Sequence, residues 1–151
     1  MHIRPYATED WERVCQIHDA ARRDELAAAG LMAAFLSLEQ TAANEGFHDY
    51  TLRVAEADGN VVGFVAFTDD ELAWLYVDPD AYGMGVGTAL IQTALVETGS
   101  PMSAEVLKGN AAATAVYRKA GFRIVGHEQG VMPGNESFAV SVTVLHHPGA
   151  A

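Results

Sequence analysis

The stretch Glu71-Leu-Ala-Trp-Leu-Tyr-Val77 constrains the fold more than any other part of the chain. It is apolar at both parities. Ala73, Leu75 and Val77 fall on one side of an extended chain, and Leu72, Trp74 and Tyr76 on the other. A strand with one wet face alternates. This pattern therefore predicts a strand covered on both faces, in the middle of a sheet. Ten residues follow, Asp78-Pro-Asp-Ala-Tyr-Gly-Met-Gly-Val-Gly87. A helix then lays Leu90, Ile91, Ala94 and Leu95 on one face and stops near Gly99.

The flanking sequence predicts partners for that strand. Thr51–Glu56 and Val61–Thr68 read as a hairpin around the Asp58-Gly59 step, and Asp69-Asp70 turns the chain into the central strand. Beyond Gly99, a strand over Ser103–Leu107 leads to Asn110, an N-cap residue, and to a helix that ends before Gly121 at its C′ position. Phe122–Glu128 and Phe138–Leu145 read as a last pair of strands. At the other end, a short strand is expected over His2–Tyr6. Thr8 reads as the N-cap of a helix whose buried face carries Trp11, Val14, Cys15, Ile17 and His18. A second helix is expected over Leu31–Ala43. The order predicts one mixed α/β domain over residues 1–151, with a mostly antiparallel sheet flanked by helices.

Composition narrows the class of partner. The chain of 151 residues carries a formal charge of −11, from nine Lys and Arg against twenty Asp and Glu. Such a surface repels phosphate backbones and anionic lipid, which argues against nucleic acid and membrane partners and for a cationic or amine-bearing one. A single cysteine, Cys15, makes no internal disulfide. The N-terminus lacks the apolar run of a secretory signal, and the apolar stretch Ala27–Leu36 is short and broken by Gly30. A reducing, cytoplasmic setting is expected. The six histidines form no metal-ligand set. His18 and His48 are candidate walls of an acceptor pocket or satisfied histidines, and His146-His147 reads as a frayed strand end.

Three glycines in five residues, Gly83, Gly85 and Gly87, stand between the buried strand and the helix. Free N–H groups at a helix start attract anions, and glycine lets a ligand approach the backbone closely. The loop is not a Walker-type P-loop, because Thr88 follows Gly87 with no Lys. It is not the dinucleotide fingerprint, because the third glycine comes two positions after the second instead of three. An anion-binding loop and a turn that lets a helix pack closely both remain open on these residues alone.

Two segments together resemble the GCN5-related N-acetyltransferase (GNAT) family. Val77-Asp78-Pro79 with Tyr82-Gly83-Met84-Gly85-Val86-Gly87 is similar to its acetyl-CoA loop, Arg/Gln-x-x-Gly-x-Gly/Ala. Asn110-Ala-Ala-Ala-Thr-Ala-Val-Tyr117-Arg-Lys-Ala-Gly121-Phe122 is similar to its second signature, Asn-x-x-Ala-x-x-x-Tyr-x-x-x-Gly-Phe. The resemblance runs from about Thr51 to the end of the chain.

It implies a sheet whose central strand pair splays, and an acetyl-CoA arm lying in the wedge along Leu75–Val77. It implies that the backbone amides of Met84, Gly85, Val86, Gly87, Thr88 and Ala89 hold the pyrophosphate. It further implies that the Val77 N–H polarises the thioester carbonyl, that Asn110 bonds the cofactor arm, and that Tyr117 protonates the leaving thiolate. For the base, Ala104-Glu105-Val106 resembles the Leu-Glu-Val segment of the ribosomal-protein N-terminal acetyltransferases. Glu71 resembles the base position of the histone-acetylating branch. Glu105 ranks first, Glu71 second, and an ordered water third. Tyr82 departs from the pattern, standing where the family carries Arg or Gln. Asp78 and Asp80 set negative charge beside the loop, with Lys108, Arg118 and Lys119 as candidate counter-charges.

The expected reaction is direct transfer of acetyl to a primary amine, on a small molecule or a peptide N-terminus. The alternative is a non-catalytic acyl-CoA-binding domain on the same fold. By analogy, the late strands are candidates for pairing across a homodimer.

Overall fold

The computed structural model describes residues 1–149. It places Glu71–Val77 (β4) at the centre of a seven-stranded sheet. The other strands are β1 (His2–Pro5), β2 (Thr51–Ala57), β3 (Asn60–Phe67), β5 (Met102–Leu107), β6 (Arg123–Met132) and β7 (Asn135–His147). Their order is β1-β2-β3-β4-β5-β7-β6. Every neighbouring pair is antiparallel except β4 with β5, which run parallel.

Helices cover both faces, as the doubly apolar β4 requires. One face carries α3 (Val86–Thr98) and α4 (Ala111–Lys119), over a core that includes Leu72, Leu90, Ile91, Ala94 and Phe122. The other carries α1 (Trp11–Ala28), with Val14 and Ile17 against Phe47, Phe64 and Trp74. Phe47 is fully buried, with ring centroids 5.2 Å from Trp74 and 5.9 Å from Phe64. Burying one such ring stabilises the fold by roughly 1.5–3 kcal/mol.

The faces of β4 differ from the expected alternation. Leu72 lies with Leu75 and Val77 toward α3, while Ala73 lies with Trp74 and Tyr76 toward α1. The register explains the switch. Ala66 pairs with Trp74 and Phe67 with Leu72, so Ala73 is the extra residue of a β-bulge. A bulge flips the parity of everything beyond it.

Other expectations are corrected. The predicted second helix over Leu31–Ala43 is broken. A 3₁₀ turn covers Met32–Ala34, and the one α-helical turn, α2 (Leu38–Thr41), is capped by Ser37, whose Oγ accepts the Gln40 N–H at 3.1 Å. Thr8 does not cap α1. It opens a 3₁₀ turn, and Asp10 satisfies the chain there, accepting from the Ala7 N–H at 2.8 Å and from Arg4 at 2.8 and 2.9 Å. His146 and His147 are not frayed. Both lie in β7, where they pair with Ser103 and Met102 of β5, and the His147 ring packs on Phe122 at 5.3 Å. β6 forms the outer edge of the sheet and leaves Ile124, Val125 and Val131 exposed.

Candidate active site

The splay follows from two short lists of partners. β5 is paired with β7 along its whole length, from Met102 to Leu107. Against β4 it pairs only through Glu71–Ser103 and Leu72–Ala104. Beyond Leu72 the two parallel strands part.

The hydrogen-bond parity of β4 shows what faces the gap. The Asp78 N–H donates to the Val62 carbonyl at 2.8 Å, so Val62 and Asp78 form a bonded pair. In an antiparallel ladder bonded and non-bonded pairs alternate. Gly63–Val77 and Val65–Leu75 are therefore the non-bonded pairs, and the N–H and C=O groups of Leu75 and Val77 point away from β3, into the wedge.

α3 begins at the wedge's mouth. Gly85, its N-cap, has φ +80° and ψ 10°, a left-handed turn that suits glycine. Met84 is exposed, whereas Val86 is buried beneath the loop. The amides at the start of α3 point outward, as at any helix N-terminus. Ala89 is a correction: its N–H donates to the Gly85 carbonyl at 3.1 Å and is not free for a ligand. Asp78 is another. Its carboxylate caps the 3₁₀ turn at Pro79–Ala81, accepting from the Asp80 N–H at 3.0 Å, and also pairs with Arg13. These bonds hold it below the usual carboxylate range, and the Arg13 guanidinium offsets its charge beside the loop. Tyr82 is half-exposed and donates to Asp24 Oδ2 at 3.2 Å.

α4 closes the far side. Asn110 Oδ1 accepts the Ala113 N–H at 3.1 Å as N-cap, and its Nδ2 donates to Glu25 Oε2 at 3.3 Å. Seven residues on, Tyr117 is 5 % exposed, with its ring 5.2 Å from that of Phe122. Among the described residues its hydroxyl has no hydrogen-bond partner. Burial, and then the charge of Glu25, push its pKa well above the usual phenol range, so it stays protonated. That is the state a proton donor needs.

On the α1 face of the sheet lies a cavity of about 560 Å³. Glu71 and Glu105 both line it, so the structure brings together the two carboxylates that sequence placed on different strands. Glu105 is interior to the sheet, not at an edge. Its side chain is exposed. Partial burial, then the charges of Glu128 and Glu71, raise its pKa. Tyr50 donates to Glu71 Oε1 at 3.4 Å. Trp74 lines the same cavity while packing in the core.

Sequence reasoning missed the centre of this wall. Glu25 of α1 accepts from Arg22, from the Tyr76 hydroxyl at 3.0 Å and from Asn110, and so ties α1 to β4 and α4 across the wedge. His18, Arg22 and Glu25 recur at helix spacing, a polar stripe beside the apolar face of Val14, Ile17 and Ala21. That stripe was the available signal. His48 lies elsewhere, stacked 4.9 Å from Trp11. Cys15 lies outside the site, and burial raises its thiol to about 11, which leaves it a poor nucleophile.

A sheet splayed beside a helix N-terminus, with backbone groups aimed into the gap, leaves room for an extended ligand bonded like an added strand. The sequence profile of the acetyltransferase (GNAT) domain matches residues 48–124, and the chain belongs to that family. Peptidyl-lysine N-acetyltransferase YjaB of Salmonella typhimurium is 35% identical over 69 residues, 45% of this chain and 46% of YjaB. The chain thus spans about half the length of the curated relatives it matches. Among solved structures, a GCN5-related N-acetyltransferase from Rhodopseudomonas palustris superposes with a TM-score of 0.80 at 21% identity, covering 97% of this chain and 94% of that one. A GNAT-superfamily phosphinothricin acetyltransferase from Sinorhizobium meliloti, solved with acetyl-CoA, superposes with a TM-score of 0.74 at 18% identity, covering 99% and 88%. Among the described residues no helix is long and apolar enough to cross a membrane.

Proposed function

We propose that the chain transfers the acetyl group of acetyl-CoA to a primary amine by direct attack. The observation that carries this reading is the β4–β5 wedge. It opens beyond Leu72 toward the glycine loop of α3, and the cavity lined by Glu71 and Glu105 lies beside its paired end. The amides of Met84 to Thr88 cradle the pyrophosphate. Leu75 and Val77 bond the pantetheine arm as an added strand would, and the Val77 N–H holds the developing oxyanion. The Asn110 amide turns from Glu25 to the arm. Tyr117 gives its proton to the departing sulfur.

The amine enters from the cavity on the α1 face, where the acidic wall favours a cation. Glu105 takes its first proton, with Glu71 or a water as substitute. Likeness to YjaB points to a lysine side chain as acceptor, and the segment around Glu105 to a peptide α-amine. Tyr82, which brings no positive charge to the loop, supports the rival reading of a non-catalytic acyl-CoA-binding domain.

Calorimetric titration with acetyl-CoA, against ATP and NAD, is the first test. Micromolar binding of acetyl-CoA alone, followed by thiol release with a lysine peptide or a small amine, is the expected result. Binding without thiol release from any amine selects the rival reading, and silence toward acetyl-CoA removes both.

A further inference from the structure

Acylation takes two protons off an ammonium nitrogen, one before attack and one as the amide forms, and returns one proton to sulfur. The carboxylates of the cavity provide one proton acceptor. A second stands on the α1 wall. His18 lines the cavity but is only 4% exposed. Its Nδ1 lies 2.9 Å from Asp19 Oδ1. An ionised carboxylate only accepts, so Nδ1 carries the hydrogen. The same Asp19 oxygen accepts the Leu38 N–H at 2.9 Å, which anchors the pair to α2. The ring is wedged edge-on against Tyr76, with centroids 4.9 Å apart.

Nε2 is therefore the ring nitrogen left without a hydrogen. Among the described residues it has no hydrogen-bond partner, yet no unpartnered side-chain nitrogen or oxygen is sealed from solvent. Nε2 is thus reachable from outside the ring's packing, and His18 is one of the residues that line the cavity. An imidazole oriented through Nδ1 by a carboxylate, with Nε2 presented to the reacting group, is the arrangement of a general base.

Building on the acetyltransferase reading above, we propose that His18 is a catalytic base of this protein, its Nε2 accepting the proton that leaves the acceptor nitrogen as the amide bond forms. The steps balance. Glu105 takes the first proton from the ammonium. The free amine attacks the thioester carbon and the C–N bond forms. The second nitrogen proton passes to His18, and the C–S bond breaks with its electron pair on sulfur. Tyr117 protonates that sulfur and is reprotonated from solvent. One proton is released per turnover.

The groups facing His18 set the pH at which it acts. Burial lowers its pKa, Asp19 and Glu25 of α1 oppose that, and Arg22 adds to it. Tyr76 faces it from β4, and Glu45, beyond α2, lines the same cavity. The net shift is downward, so His18 is a neutral acceptor at pH 7.

The test compares the wild type with His18→Gln and Asp19→Asn in thiol release, with acetyl-CoA affinity as the control for folding. His18→Gln should lower kcat at least tenfold at unchanged acetyl-CoA affinity, and should abolish the acid limb of the kcat–pH profile. Asp19→Asn should keep that limb and move it to lower pH. An active wild type whose His18→Gln variant keeps both rate and limb overturns the assignment. A wild type that binds no acetyl-CoA overturns the acetyltransferase reading instead. If His18→Gln loses acetyl-CoA binding, nitrogen-15 histidine NMR of the wild type decides. A His18 protonated at Nδ1 alone, whose Nε2 resonance shifts when the acceptor amine is added, supports the proposal. One protonated at Nε2 at neutral pH overturns it.

Discussion

Gly63→Ala tests whether the wedge depends on how closely α3 lies on the sheet. Gly63 pairs with Val77, and its missing side chain makes room for the first turn of α3. A Cβ there would stand 2.8 Å from Val86 Cγ1, 3.1 Å from Leu90 Cδ1 and 3.2 Å from the Tyr76 carbonyl oxygen. Carbon atoms rest at about 3.5–4.0 Å, so Val86 must withdraw by roughly 1 Å. Val86 is 4% exposed and Leu90 fully buried, so neither has free space to move into. Overpacking of this kind costs about 1–3 kcal/mol. For a domain of this size each kcal/mol is worth about 2–4 °C, so Tm should fall by roughly 2–12 °C in differential scanning calorimetry.

The same displacement moves the amides that start α3. Acetyl-CoA affinity should then fall about tenfold, or ~1.4 kcal/mol. Val86→Ala removes the clashing methyl, so the double variant should lose less than the sum of the two single variants. For the melting temperature alone, Gly87→Ala is the control. Its Cβ meets Val116 at 3.4 Å and Val77 at 3.8 Å, ordinary contacts. A Gly63→Ala protein that melts within about 1 °C of the wild type would refute the close-approach argument.

Three further outcomes follow from the same geometry. Tyr117→Phe should lower kcat about 100-fold while leaving acetyl-CoA affinity within about twofold, because an acid acts in the transition state. Equal turnover would remove Tyr117 from that role. Glu105→Gln should remove the carboxylate component from the acid limb of kcat/KM for the acceptor, a component that burial and then Glu128 and Glu71 shift upward, and leave the component of His18. An unchanged limb hands the first proton to Glu71 or water. Asp10, hydrogen-bonded to Arg4, has its pKa lowered. Its contribution to stability is present above the unfolded value of about 3.9 and is lost as pH falls through the lower, folded value. Asp10→Asn should therefore cost about 1–3 kcal/mol at pH 7 and flatten the acid end of the stability–pH curve. Denaturation at pH 7 and pH 3 measures both, and an identical acid slope would contradict the pairing.

Local chemistry made part of this protein legible in one dimension. Residues 72–77 announce a strand buried on both faces because neither parity carries a charged side chain. Asn110 announces a helix start because its side chain can satisfy a free amide, and it does. The four apolar residues of α3 lie buried on the sheet as their spacing requires. Each of these is decided within a few residues, by hydrogen-bond capacity and period.

Other features depended on contacts distant in sequence. The bulge at Ala73 needs β3 beside it, and the wedge needs β7 to hold β5 while β4 turns away. The broken helix after Leu31 reflects competition: the Leu38 N–H is anchored by Asp19, nineteen residues earlier, and the short helix starts there. Glu25 gains its place only when α1, β4 and α4 meet, and His18 gains an open nitrogen only when Asp19 fixes the other and the ring is pressed against Tyr76. The sequence by itself determined the strands of the sheet and the three longer helices α1, α3 and α4, because those are short-range questions of period and capping. The tertiary structure alone decided which side chains share the cavity, because burial, charge and orientation there are set by neighbours up to 110 residues apart along the chain.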